Sequence, residues 1–299
     1  MSSKGSPFII KVITPLHAGS GQDLGIVDLP IQRERHTSFP KIEASGLKGS
    51  IRDIFRRTLD PNEGKNMDLL FGPETSGDFA GAIGFIDARL LLFPVKSVKG
   101  TYALITCPQA LNQLFVSLHI VKHDFDIKIN LVPETLCRVA EESQVALNDK
   151  VILEEYCFDV EDIKIDKDLI KLLEHYTEID DLGQKLVILS DDDFKEFVNL
   201  STEVITRTKI KIETGTVTDG ALFTEEYLPS ESVLYSLAIP SSIFAPKENK
   251  ESFVGEKHDT DAIMDYWQEN MPQYMQIGGN ATIGKGIVEI IIAKENDNG

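Results

Sequence analysis

The sequence predicts an α+β protein, a sheet of the ferredoxin-like pattern with helices on one face. Three observations point there. Short apolar runs of strand type alternate with segments of helical spacing, turn signals fold several runs into hairpins, and no strict βαβ repeat runs through the chain.

The elements follow in order. Phe8 to Thr14 is an apolar strand closed by Pro15, and the glycine-bearing loop His17-Ala18-Gly19-Ser20-Gly21 leads into an irregular stretch through Asp28 and Pro30 to His36. Ser45 is placed as the cap of a helix to about Leu59, because Leu47, Ile51, Ile54, Phe55 and Leu59 share one face. Beside that face Lys48, Arg52 and Arg56 recur every fourth residue as a basic stripe. Strand-like runs at Ala82 to Val95 and Thr101 to Cys107 flank a basic turn, and Pro108 opens a helix to about Leu118.

Residues 122–184 read as an acidic insertion with a helix around Asp168 to Tyr176. A strand at Lys185 to Leu189 precedes a helix capped by Ser190, whose Asp191, Asp192 and Asp193 suit the positive end of a helix dipole. Residues 204–230 form a candidate hairpin. Val204 to Glu213 alternates, with Arg207, Lys209 and Lys211 on one face, and turn signals at Thr214-Gly215 and Asp219-Gly220 fold it back on Ala221 to Leu228. A strand at Val233 to Ile239, a helix around Asp259 to Tyr274, and a glycine-rich loop entering a last strand, Gly286 to Ala293, complete the chain.

Composition narrows the function classes. The chain has 299 residues, 42% hydrophobic and 26% charged, as expected of a soluble globular protein. Its apolar runs are too short to cross a bilayer, and Lys4 followed by Pro7 to Ile10 reads as a strand opening rather than a signal peptide. Cys107, Cys137 and Cys157 form no CxxC pair, which excludes a zinc ribbon or disulfide framework and suggests reduced, buried thiols in a cytoplasmic protein.

The net charge of −18 argues against nucleic acid only until it is mapped. Residues 124–196 hold 21 acidic against 8 basic side chains, whereas residues 31–59 hold seven basic (including Arg33, Arg35, Lys48 and Arg52) against three acidic. Phosphates respond to local potential, since charges beyond about 8–10 Å are screened at physiological salt.

The motifs leave alternatives open. Gly279 to Lys285 nearly spells a phosphate-binding P-loop, but Gly286 replaces the metal-binding hydroxyl and only thirteen residues follow, which argues against an NTPase. The glycines Gly278, Gly279, Gly284 and Gly286 then either permit a tight connection or approach a nucleic-acid backbone with their amides and Lys285. The stripe Lys48, Arg52, Arg56 reads as a solvated face or, with Gly46 and Gly49 opening the helix start, as an anion site. Alone, Asp28 reads as a turn-former and His17 as a packed ring; no metal-ligand spacing or Ser/His/Asp arrangement is visible.

Taken together and in order, these segments resemble one family. Thr14-Pro15-Leu16-His17 with Gly19-Ser20-Gly21, Gly25-Ile26-Val27-Asp28, and Pro30 to Thr37 are similar to the N-terminal signature of the RAMP proteins of CRISPR systems. Ser45 to Arg52, Leu70-Phe71-Gly72 and the Gly278 to Gly286 loop continue the likeness. The run Pro30 to Thr37 and the segments Glu213 to Thr216 and Glu225 to Ser230 resemble the repeated, Cas-seven-like backbone subunit of the type III-B, or Cmr, effector complex.

The resemblance implies a single RAMP domain over residues 1–299, with an RRM-like palm and a β-hairpin thumb. It further implies copies stacked as a filament along a guide RNA, among other Cmr subunits and with no membrane association, cutting paired target RNA at regular intervals with a divalent metal, Mg or Mn. Asp28 matches the essential family aspartate, as metal ligand or base. His17, Glu225, Glu226 and Tyr227 match positions near the scissile phosphate, while Arg33, Arg35, Lys48, Arg52 and the loop Gly278, Gly279, Gly284, Lys285 and Gly286 are candidates for gripping RNA. A non-catalytic scaffold and a stand-alone guide-processing endonuclease are the alternatives.

Overall fold

A strand buried on both faces reads as a continuous apolar run, whereas one buried on a single face alternates. The first strand, β1 (Ser6–Val12), is of the continuous kind: Phe8, Ile10 and Val12 enter one core and Ile9 the other. The computed structural model describes residues 5–22, 25–74, 77–123, 125, 127–210, 213 and 217–293. Lys4, Lys211 and the Thr214 to Thr216 turn lie outside the described residues.

After β1 come β2 (Lys41–Ile42), α1 (Ala44–Thr58), α2 (Gly64–Phe71), β3 (Ile83–Phe85), β4 (Ala88–Lys96), β5 (Tyr102–Thr106) and α3 (Pro108–Ile120). The acidic middle contributes β6 (Leu136–Val139), β7 (Lys150–Leu153), β8 (Tyr156–Val160) and α4 (Lys167–Thr177). Then follow β9 (Leu186–Ile188), α5 (Asp191–Leu200), the hairpin strands β10 (Glu203–Ile210) and β11 (Val217–Tyr227), β12 (Val233–Pro240), α6 (Lys247–Val254), α7 (Asp259–Asn270), β13 (Tyr274–Gln276) and β14 (Ile287–Ile292).

The central order is β14-β1-β12-β4, every neighbouring pair antiparallel. Numbered along the chain these four strands read 4-1-3-2. β1 and β4 run parallel on either side of β12 and are joined through α1; β12 and β14 flank β1 and are joined through α7. This is the ferredoxin-like pattern, with the β10–β11 hairpin standing apart as its own two-stranded sheet.

Helices cover both faces of the sheet, not one. Leu47, Ile51 and Phe55 of α1 and Ile263 and Trp267 of α7 pack on the Phe8 side. Leu111, Leu114 and Leu118 of α3 and Leu169 and Leu173 of α4 pack on the Ile9 side, against Leu91 and Tyr235.

The acidic middle extends the sheet instead of standing off it: β5 pairs with β9, β9 with β6, β6 with β8 and β8 with β7. Most of its acidic side chains lie exposed in turns and on α4, while inner strand residues such as Val151, Leu153 and Phe158 are core. Cys107 and Cys137 are buried, but Cys157 alternates with inward Phe158 in β8 and is exposed.

Two helix starts contrast. Ser190 caps α5 as expected, its hydroxyl accepting from the Asp193 amide at 3.0 Å. At α1 the helix begins at Ala44, ahead of Ser45, and the Ala44 amide donates 2.9 Å to Asp87 Oδ1 from the turn between β3 and β4. Asp219-Gly220 lies inside β11 rather than at a turn.

Candidate active site at the hairpin base

Side chains on a strand alternate between faces, so Thr224 and Glu226 of β11 point one way and Phe223, Glu225 and Tyr227 the other. The chain from Asp28 to Ile31 runs along the free edge of β11. Leu29 bridges Glu225 in parallel, with Leu29 N donating to Thr224 O at 3.0 Å and Glu226 N to Leu29 O at 3.0 Å.

This strip sets Asp28. Its Oδ2 accepts from the Thr224 amide at 2.7 Å and the Thr224 hydroxyl at 2.9 Å, and its own amide donates to that hydroxyl at 3.0 Å. Asp28 is exposed. Among the described residues both donors converge on Oδ2 and none reaches Oδ1. The Thr224 amide, then its hydroxyl, hold the Asp28 carboxyl below the usual carboxylate range.

On the opposite face Glu225 is buried at the centre of a polar cluster. Its carboxylate accepts from Tyr227 Oη, from Asn280 Nδ2 at 2.6 Å and from Arg207 Nε at 3.4 Å, and lies 3.7 Å from His17 Nε2. Tyr227 Oη in turn accepts from Arg207 Nη2 at 2.8 Å and Asn280 Nδ2 at 2.9 Å. Burial works to raise the Glu225 carboxyl, but the bonds from Tyr227 and Asn280, the His17 ring and the Arg207 bond outweigh it, leaving the pKa lowered. Burial, reinforced by Glu225, pushes the Tyr227 phenol up. His17 Nδ1 lies 2.7 Å from Glu226 O, and Lys285 Nζ stands 4.9 Å over the Tyr227 ring.

The structure therefore brings His17, Glu225, Tyr227 and Lys285 together, with Asp28 pinned through Thr224 to the strand that carries Glu225 and Tyr227. Glu226 faces away, into the protein. Its Oε1 accepts from Arg33 Nη2 at 2.5 Å and Thr202 Oγ1 at 2.8 Å, and its Oε2 from the Ile31 amide at 3.0 Å. Arg33 also donates to Ser38 O at 2.8 Å and Val198 O at 3.0 Å, so its guanidinium is turned inward. Arg35, two residues on, is exposed in a turn and carries no ion pair among the described residues.

The α1 stripe is compensated. Lys48 Nζ donates 2.9 Å to Ile83 O, and burial followed by the neighbouring Arg52 charge lowers its pKa. Arg52 lies 3.6 Å from Asp68 and 3.7 Å from Glu74, and Arg56 pairs with Asp53 and Glu74. The anion at the α1 start is the protein's own Asp87, which also pairs with Lys41 at 2.8 Å.

The glycine loop is a tight connection. A Cβ on Gly278 (φ 81°) would lie 2.2 Å from His17 O, and one on Gly286 (φ 74°) 2.1 Å from Ile277 O. The amides of Gly279, Gly284 and Gly286 donate to His17 O, Ala281 O and Pro15 O, so the loop is built to hold the His17 segment. Gly284, by contrast, faces open space.

Sequence reasoning missed three members of the site. Thr224 sits just before the Glu-Glu-Tyr segment. Asn280 has a positive φ of 64° inside a loop noted only for its glycines. Arg207, one of the basic row on β10, crosses diagonally to Glu225 and Tyr227. The side chains of Lys209 and Lys211 lie outside the described residues.

Among the described residues no group of three or more His, Cys, Asp or Glu could hold a metal. No helix among them is long and apolar enough to cross a membrane.

The chain is similar to known proteins over nearly its whole length. The RAMP superfamily pattern matches residues 9–289. A relative in Pyrococcus furiosus, the "CRISPR system Cmr endoribonuclease Cmr4", is 36% identical over 297 residues, spanning 96% of this chain and 95% of its own length. The crystal structure of oligomeric Cmr4 from the same organism superposes with a TM-score of 0.72 at 28% identity, covering 98% of both chains. In fold alone, a chain of the type III-B Cmr-beta complex bound to cognate target RNA matches with a TM-score of 0.76 at 23% identity, covering 97% of this chain and 98% of its own. With its 4-1-3-2 sheet, its separate hairpin and matches of this length, the chain belongs to the RAMP superfamily and, within it, to the Cmr4 family of CRISPR-system subunits.

Proposed function

We infer that this chain is the guide-RNA-binding backbone endoribonuclease of a type III-B CRISPR complex. It stacks with further copies of itself and with other Cmr subunits, and it cuts paired target RNA at regular intervals with the help of a divalent metal. The observation that carries this reading is Asp28: an exposed carboxylate with one oxygen pinned by the hairpin strand and the other unengaged among the described residues. The relative's name as an endoribonuclease supports it.

Sequence is read by base pairing in such a guided complex, so the protein needs only backbone contacts and shape. The hairpin supplies shape. Leu222 and Phe223 stand exposed on it, apolar surfaces on which a base can stack once the duplex is interrupted. A splayed nucleotide can align its 2′-hydroxyl with the adjacent phosphorus, a geometry that a regular A-form helix denies. Lys285 and Arg35 are the phosphate contacts this reading favours, since neither is held by a carboxylate among the described residues.

A hard divalent ion such as Mg is commonly held through one or two carboxylates, substrate phosphates and water. Asp28 fits that role with Oδ1, although among the described residues no multi-carboxylate cage surrounds it. The ion would offset charge developing on the phosphorus oxygens. With both Thr224 donors on Oδ2, Oδ1 is left to face the ion, which favours metal holding for Asp28 over general base catalysis. Glu225, Tyr227 and His17 act from behind, fixing the hairpin base against the glycine loop.

Asp28→Asn tests this. In the assembled complex it should abolish metal-dependent target cutting while guide and target binding persist. Undiminished cutting would remove Asp28 from the mechanism and leave a non-catalytic scaffold.

A further inference from the structure

We propose that Thr224 is a positioning residue for Asp28: its amide and hydroxyl both hold Oδ2, so that Oδ1 is the carboxylate oxygen presented to the RNA. The inference rests on Asp28 being the reacting carboxylate and goes one layer outward from it.

The geometry is reciprocal. The Thr224 hydroxyl has one proton and two lone pairs. It donates to Asp28 Oδ2 at 2.9 Å and accepts from the Asp28 amide at 3.0 Å, while the Thr224 amide donates to the same Oδ2 at 2.7 Å. Three hydrogen bonds between two residues fix both the backbone and the side-chain rotation of Asp28. A singly held carboxylate on an exposed loop would rotate and exchange its oxygens. The neighbouring backbone bonds Leu29 N to Thr224 O and Glu226 N to Leu29 O lock the register, so Asp28 cannot slip along β11. The Thr224 amide also belongs to the strand that carries Glu225 and Tyr227, so the buried cluster on one face and Asp28 on the other share a single rigid support.

Thr224→Val tests the hydroxyl alone, since valine keeps the shape and the β-branched preference for a strand and leaves the amide in place. Misplacement of a catalytic group by about 1 Å costs up to ~100-fold. Losing the hydroxyl but not the amide should therefore lower the single-turnover cutting rate of the assembled complex by about 10-fold. The target concentration at half-maximal rate should stay within about 2-fold of wild type, because no group that binds RNA has been touched. Thr224→Ser, which restores the hydroxyl, should recover the rate to within about 3-fold.

Three results would overturn the proposal. Wild-type cutting by Thr224→Val alongside a dead Asp28→Asn would dismiss Thr224 and leave Asp28 in place. A fall that Thr224→Ser does not restore, or one accompanied by lost target affinity, would mean a disturbed hairpin instead of a misaimed carboxylate. Active Asp28→Asn would remove the foundation itself, whatever Thr224→Val does.

Discussion

Replacing Glu226 with alanine should destabilise the protein by about 3–5 kcal/mol, the range for breaking a buried ion pair by removing one partner. The structure supplies the parts. Glu226 Oε1 receives Arg33 Nη2 at 2.5 Å, and the two side chains are only 7% and 19% exposed. A hydrogen bond to a charged group contributes about 1.5–3 kcal/mol, and the Ile31 amide, 3.0 Å from Oε2, would be left unpaired at a further ~1–3 kcal/mol. Together these span about 2.5–6 kcal/mol, which brackets that range. At roughly 2–4 °C per kcal/mol for a chain of this order of size, the unfolding midpoint should drop by about 6–20 °C. The assay is thermal and urea unfolding of wild type, Glu226→Ala, Arg33→Met and the double variant. Partners in direct contact should show a coupling energy of about 2 kcal/mol, within the 0.5–3 kcal/mol seen for neighbours. Coupling below about 0.5 kcal/mol, or an Arg33→Met protein that keeps its stability but loses RNA affinity, would refute the inward assignment of Arg33 and return it to phosphate binding.

Two further outcomes follow from the site. Gly278→Ala should destabilise by well over the ~1–2 kcal/mol of left-handed backbone strain alone, because its Cβ collides with His17 O, whereas Gly284→Ala, facing open space, should lose only that strain; equal unfolding midpoints would contradict the close approach. The Glu225 pKa is depressed in the folded state, so the stability it confers is present above the ordinary carboxylate range and lost as pH falls through the folded value. Glu225→Gln should therefore be less stable than wild type at neutral pH, with the gap narrowing in acid; a gap that is constant with pH would show that the carboxylate's charge is not what the cluster uses.

Local signals were legible and distant partners were not. Ser190 with three following aspartates is a cap written in adjacent residues, and α5 starts there. Ser45 carried a similar local signal, yet the amide at the α1 start is taken by Asp87, 43 residues along the chain. Arg33 belongs to a run of basic residues, which reads as an outward cationic patch; its carboxylate lies 193 residues away, on a strand whose register no short-range pattern reveals. The unbroken run Phe8-Ile9-Ile10 already signalled burial on both faces, and the expectation of helices on one face passed over it. Asp28 has no distinguishing neighbours in sequence. Resemblance to the family singled it out, and only the fold brings Thr224 to its carboxylate.

The strip that carries Asp28 is stitched to β11 at Asp28 and Leu29, and only farther along, at Pro30 and Ile31, to the Gly19–Ser20 loop. A tilt of the hairpin would thus sweep the carboxylate along with it, as a blade travels with its handle. Where a target strand is severed would be gauged from the protruding arm, and remodelling of distant palm loops would leave that ruler unaltered.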